Sequence, residues 1–305
     1  GVRSTLPREI LDTTWVFSLT DQYRQNEYLY FRLESTSALR LGVSLWPTNA
    51  FISENFLKNI GFGLFYGVIL AMLCLNLFSF FILKDRTYLF YVLYISLMLI
   101  YQLQVHGHFR WLFTTPYVIY NAIFWLCLGA AYIAAILFTC SFLQVRLQTK
   151  PWNKILGVLV TLAIAQGILG ALQFNIAANQ IAHALGFIEP FVIMSLAVIR
   201  LRQGFRSAKY YLLAWGILST GIIVWALSAY IPGMTFAVNY LLATTAAESI
   251  LLTCALADRF RNLRMQAKYA QYYRDLSLTD ELTGLYNKRY LKEKCRQEVD
   301  LALQN

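Results

Sequence analysis

The amino-acid sequence predicts an all-α membrane protein: a seven-helix transmembrane bundle, preceded by a partial N-terminal β piece and followed by a helix that leaves the last span. Three observations predict it. The 305 residues are 58% hydrophobic and 14% charged, against about 45–50% apolar and about 25% charged in an ordinary soluble domain. Seven apolar stretches are long enough for a hydrocarbon core about 30 Å thick, which takes about 20 residues of helix. Basic residues collect in alternate loops between those stretches.

Residues 1–57 read differently from the rest. In "EYLYFRLE", Tyr28, Tyr30 and Arg32 alternate with Leu29, Phe31 and Leu33; "SALRLGVSL" puts Leu39, Leu41, Val43 and Leu45 on one face. Period two over such lengths predicts strands, with "ESTSA" as turn chemistry and "DTTWVFSL" as a third strand. Three strands are too few for a sandwich. The expectation is the rear part of an extracytoplasmic β sensory domain, cut upstream, since Gly1 is not an initiator Met and no signal-peptide pattern precedes the first strand. A ligand of unknown identity is expected there, with a mere spacer as the alternative.

The transmembrane domain is placed at residues 58–258. Its spans are Gly61–Leu83, Tyr88–Val105, Val118–Leu143, Ile155–Leu172, Ile181–Ile199, Tyr210–Ile231 and Phe236–Ala257. No Asp, Glu, Lys or Arg lies between Lys154 and Glu189, or between Tyr210 and Ala247. Each of these gaps exceeds one helix and breaks at turn chemistry, in residues 173–180 and at Ile231-Pro232-Gly233. Lys84 and Arg86 follow span one; Arg146, Lys150 and Lys154 follow span three. Arg200, Arg202, Arg206 and Lys209 follow span five, and Arg259, Arg261 and Arg264 follow span seven, while the other loops carry Arg110 alone. Basic loops stay cytoplasmic, so the N-terminus is expected outside and the C-terminus inside. The net charge of +10 therefore suits lipid headgroups, and nucleic acid is not an expected partner.

Ionisable groups at membrane depth are costly and mark function by default. Glu248 lies midway along span seven, and Glu189 lies inside span five just before Pro190. His183, Gln166, Asn76 and Asn121 are weaker signals. The competing reading is a neutral carboxyl that fixes helix packing. The five cysteines have no metal-ligand spacing and read as small buried apolar residues.

No Gly or Pro stands between Ser249 and Gly284, so the last span continues as a linker and signalling helix, residues 259–276. Leu256, Phe260, Leu263, Ala267 and Ala270 recur at four-three spacing, the seam of a parallel two-stranded coil, which predicts a homodimer through this helix. Residues 277–305 follow. In "LTDELTGLYNKRYL", Asp280 can cap a short turn, Gly284 frees the backbone, and Asn287 can cap a helix starting near Lys288. The run Asp280, Glu281, Leu282, Thr283, Gly284, Leu285, Tyr286, Asn287, Lys288, Arg289 resembles the opening signature of GGDEF domains, the diguanylate cyclases, Asp-x-Leu-Thr-Gly-Leu-x-Asn-Arg-Arg. Lys288 is the one departure. The resemblance implies a cyclase that joins two GTP molecules, with Mg, into cyclic di-GMP. That family's metal-binding aspartate, guanine contacts and Gly-Gly-Asp/Glu-Glu-Phe turn lie downstream of this motif, and this chain has no Gly-Gly pair. No catalytic, cofactor or metal residue is therefore assigned, and residues 1–305 by themselves are expected to be inactive as a cyclase.

A second resemblance covers residues 15–260. "GLFYGVILAMLCLNLFSFFILKDRTYLFYVLY" and "ESILLTCALADRF" resemble the first and last spans of bacterial seven-transmembrane receptors with diverse intracellular signalling modules. "YLYFRLESTSALRLGVSLWPTNAF" is similar to the final strands of their outer jelly-roll-like domain, commonly compared with carbohydrate-binding modules. This implies a sensor in the bacterial inner membrane, with a carbohydrate-like ligand as one candidate, that drives a diguanylate cyclase. The alternative output is a degenerate cyclase domain that does not synthesise. A transporter or structural protein leaves the motif unexplained, and no paired broken helices are present. Span seven has no Lys for a retinal Schiff base, and "CSFLQVRL" stands where a G-protein receptor would carry Asp/Glu-Arg-Tyr.

Overall fold

A computed structural model describes residues 16–17, 43–109, 116–145, 150–228, 231, 234 and 236–276, and then 285–288, 290–292, 294–296 and 299. Seven helices are long and apolar enough to cross a membrane. They are α1 (Thr48–Leu83), α2 (Arg86–Val105), α3 (Tyr117–Phe142), α4 (Lys150–Ala171), α5 (Asn175–Arg202), α6 (Ala208–Leu227) and α7 (Ala237–Leu276). Local chemistry sets their ends. Lys84 adopts φ 51° and its N–H closes on the Phe80 carbonyl at 2.8 Å, which stops α1. Asp85 then caps α2 by accepting from the Thr87 N–H at 2.8 Å. At the end of α5, Gly204 (φ 92°) lets Phe205 N–H reach the Arg200 carbonyl at 3.0 Å, a left-handed helix stop.

The described residues form two compact units, 1–253 and 254–305. In the first unit, successive helices pack side by side from α1 to α6, with α3 also touching α5. Thr220 and Tyr240 hydroxyls, 3.1 Å apart, link α6 to α7, and Asn76 of α1 donates to Thr253 of α7 at 2.8 Å, closing the circuit. The outward residues are oily: Leu64, Phe78, Phe81, Ile176 and Phe191 are all exposed. Lipid is the solvent such a surface requires, and helix association then rests on close packing and buried polar contacts. Both devices meet at α3 and α4. Gly129 of α3 sits against Ala163 and Gly167 of α4, so the two backbones approach closely.

In the second unit, the residues of α7 from Arg264 to Arg274 are exposed, Ala267 and Ala270 among them. The Arg261 guanidinium pairs with Asp258 at 2.8 Å, and the Arg264 guanidinium lies 4.4 Å from the Phe260 ring centre. Further on, the Tyr290 N–H donates to Asn287 Oδ1 at 3.1 Å, the expected side-chain cap on the helical residues that begin at Lys288.

Two expectations need correction. Of the N-terminal β piece, nearly all lies outside the described residues, but its last part does not. Val43 and Leu45 are irregular and exposed, and residues 48–57 are helical. Pro47, at φ −59°, pre-sets the first turn of α1. Glu54 and Lys58, at i,i+4 spacing with the acid first, suit helix rather than strand. The cysteines are not buried either: Cys74, Cys254 and Cys295 are exposed and Cys127 and Cys140 half-buried, as small apolar residues can be when lipid is the solvent.

Candidate functional site

The interior of the first unit is polar where its surface is not. Glu248 of α7 is buried, and the Tyr94 hydroxyl of α2 donates to its Oε1 at 3.3 Å. One residue on, the Tyr91 hydroxyl donates to the Ser249 carbonyl at 2.8 Å. That carbonyl also accepts from the Thr253 hydroxyl at 2.9 Å, and Thr253 in turn accepts from Asn76. α7 is thus held to α1 and α2 by a continuous polar chain. Every such bond made inside lipid replaces a group that would otherwise go unsatisfied.

Glu189 of α5 is different. It is 1% exposed, and neither carboxyl oxygen has a hydrogen-bond partner among the described residues. Pro190 beside it has no N–H to offer the Gly186 carbonyl one turn back. The charge of Glu189 would reach Tyr94, Tyr132 and Tyr211, and that of Glu248 would reach Tyr94 and Tyr211. Five rings form a closed circuit in the same interior. Centroid distances run Tyr91–Tyr94 6.3 Å, Tyr94–Trp215 6.1 Å, Trp215–Tyr211 6.1 Å, Tyr211–Phe138 6.0 Å and Phe138–Tyr91 5.2 Å. The indole N–H of Trp215 is buried without a partner among the described residues. No Lys or Arg occurs in α1 after Lys58, in α2 after Arg86, in α3, in α4 after Lys154, in α5 before Arg200, in α6 after Lys209 or in α7 before Arg259. Among the described residues the bundle core holds these two carboxyl groups, and the one buried basic side chain, Arg259, stands eleven residues past Glu248.

The third intramembrane candidate, His183, is not part of this site. It is exposed, its ring 6.4 Å from that of Trp225. Asn121 and Gln166 belong to a separate cluster between α3, α4 and α5. There Asn175 Oδ1 accepts from Trp125 Nε1 at 2.8 Å and from Asn121 Nδ2 at 3.1 Å. Of the GGDEF-like motif, Asp280, Leu282, Thr283, Gly284 and Arg289 lie outside the described residues; Leu285 is exposed and Asn287 is the cap.

A second polar group, between the middle of α1 and the end of α2, was not singled out by sequence. Tyr66 and His108 share a hydrogen bond of 3.1 Å, and the Phe62 ring lies 4.8 Å from His106 and 4.7 Å from His108. Burial first, then His108 and Lys58, lowers the His106 pKa to about 4. The spacing His-Gly-His was its visible signal. No group of three or more potential metal ligands exists among the described residues. A groove of about 430 Å³ beside Trp152, Phe187 and Phe191 is apolar and takes in neither carboxylate.

The family model described as 7TM diverse intracellular signalling matches residues 58–259. The chain belongs to this family. No curated protein and no solved structure matches it. As a 7TM diverse intracellular signalling protein the chain is a multi-pass membrane receptor, and the matched region takes in Glu189, Glu248, the five-ring circuit and the polar chain to α7.

Proposed function

We propose that the chain is the membrane-embedded part of a bacterial inner-membrane receptor that drives a diguanylate cyclase. In the full-length protein a signal received by an outer β domain, or by the bundle itself, alters cyclic di-GMP synthesis from two GTP. The N-terminus lies outside and the C-terminus in the cytoplasm, following the basic loops after spans one, three, five and seven. The observation that carries the reading is the run Asp280–Arg289. Support comes from Asn287, whose side chain accepts from the Tyr290 N–H and so caps the helix expected to start near Lys288, and from the signalling family to which residues 58–259 belong. α7 is one 40-residue helix; on it Ala267 and Ala270 are exposed, which leaves that part of the four-three seam open to the same face of a second copy, while Leu256 is buried and Phe260 and Leu263 are half-buried.

Two measurements test this. Cells expressing the full-length gene should hold more cyclic di-GMP than cells expressing residues 1–305; equal levels refute a synthesising output. Inserting four residues after Gln266 turns the helix exit by about 40° and should uncouple synthesis from the signal, whereas unchanged coupling refutes transmission through a continuous helix.

A further inference from the structure

Glu189 poses a problem that no neighbouring side chain solves. If ionised, it is a buried charge on a helix that carries no Lys or Arg before Arg200, a state costing several kcal/mol unless compensated. If protonated, its O–H still needs an acceptor, and neither oxygen has a partner among the described residues. A proton alone therefore removes the charge and leaves the polar group orphaned. Two further features point to something small occupying the same interior. Pro190 leaves the Gly186 carbonyl without its helical donor on the turn that carries Glu189. The indole N–H of Trp215, whose ring joins those of Tyr94 and Tyr211, is also buried and unpartnered among the described residues.

We infer that the bundle interior binds one small monovalent inorganic cation, of sodium size, with the Glu189 carboxylate as its charged ligand. One turn back in the same continuous helix, the Gly186 carbonyl that Pro190 leaves without its helical donor supplies neutral oxygen, and water completes the shell. The chemistry argues against the other cations. A divalent ion of the calcium type takes six to eight oxygens, usually from several carboxylates, and Glu248 is already bonded to Tyr94. An organic ammonium group would need an open aromatic cage; here the five rings close on one another at 5.2–6.3 Å. The inference goes beyond the receptor reading and does not depend on a cyclase output.

The test uses the 305-residue chain in lipid nanodiscs. Equilibrium binding of radiolabelled sodium should reach one ion per chain. Thermal unfolding should shift upward by on the order of 5–10 °C at sodium concentrations about a hundredfold above the dissociation constant. N-methylglucamine chloride at equal ionic strength should give no shift. Glu189→Gln should abolish both effects, while His183→Ala, on the exposed surface, should keep them. Wild-type protein that binds no sodium, or that is stabilised equally by N-methylglucamine, overturns the inference without reference to any variant. Sodium binding retained in Glu189→Gln overturns the assignment of the ligand. A stability that follows pH alone, with no sodium dependence, shows a proton to be the sole occupant and overturns it too.

Discussion

Replacing Gly129 by alanine is the sharpest test of how the bundle is held. A Cβ at that position would lie 2.6 Å from the Ala163 backbone carbonyl, 3.2 Å from Gln166 Oε1 and 3.5 Å from the Gly167 Cα. The nearest atom is backbone, so no side chain can swing aside. Ordinary contact begins at 3.4 Å, so moving from 2.6 to 3.4 Å parts α3 and α4 by about 0.8 Å. A gap of that size forfeits roughly a quarter to a half of each dispersion contact along the seam, and overpacking costs about 1–3 kcal/mol. The better helix propensity of alanine returns about 0.5–1 kcal/mol, leaving a net loss of about 1–2 kcal/mol. The internal control is Gly157 on α4, which is exposed and would place a Cβ in open space, with nothing within 4 Å. Gly157→Ala should be neutral or stabilising by up to about 1 kcal/mol. Thermal unfolding in nanodiscs reads the difference as roughly 2–4 °C per kcal/mol for a bundle of this size. If Gly129→Ala proved as stable as Gly157→Ala, close backbone approach would not be what joins α3 to α4.

Other outcomes follow from the buried polar contacts. Asn175→Ala strips the acceptor from both Trp125 Nε1 and Asn121 Nδ2 and should cost about 2–3 kcal/mol in the same assay, whereas Asn175→Asp keeps an acceptor and should cost less. Tyr94→Phe removes the donor to Glu248, at about 1–2 kcal/mol; the double variant with Glu248→Gln should cost less than the two single losses together, and strict additivity would dissolve the pairing. His106, with a pKa of about 4 against an ordinary 6.5, stays neutral in the folded protein while the unfolded chain takes up a proton. Stability should therefore be flat above pH 6.5 and fall as pH drops from 6.5 toward 4, a slope measurable as melting temperature against pH and missing in His106→Asn.

The seven spans are legible because lipid imposes length and composition together, and turn residues mark the breaks. Their ends are less so. The helix at Thr48–Ile60 carries Glu54 and Lys58, and a search for unbroken apolar runs discards such turns. The start of α5 at Asn175 reads as a loop, since asparagines favour turns; in the fold Asn175 is the acceptor for Trp125 and Asn121. Glu189 and Glu248 stand out in sequence because a charge in an oily run is rare. His183 fails as a companion for a geometric reason: six residues of helix turn through 600°, about 120° away from Glu189. The rings of Tyr94, Tyr211 and Trp215 give no signal at all, since aromatic residues are 16% of the chain and only the packing of α2 and α6 selects these.

The length of α1 has a mechanical consequence. Its 36 residues span about 54 Å, against a hydrocarbon layer of about 30 Å, so roughly four turns stand clear as a stalk. Whatever chain precedes Pro47 is mounted on that stalk like a vane on a shaft. Removing a single residue between Thr48 and Ile60 would lower the mount by about 1.5 Å and swing it through about 100°, so the bearing at which the upstream chain meets the membrane is written in a residue count.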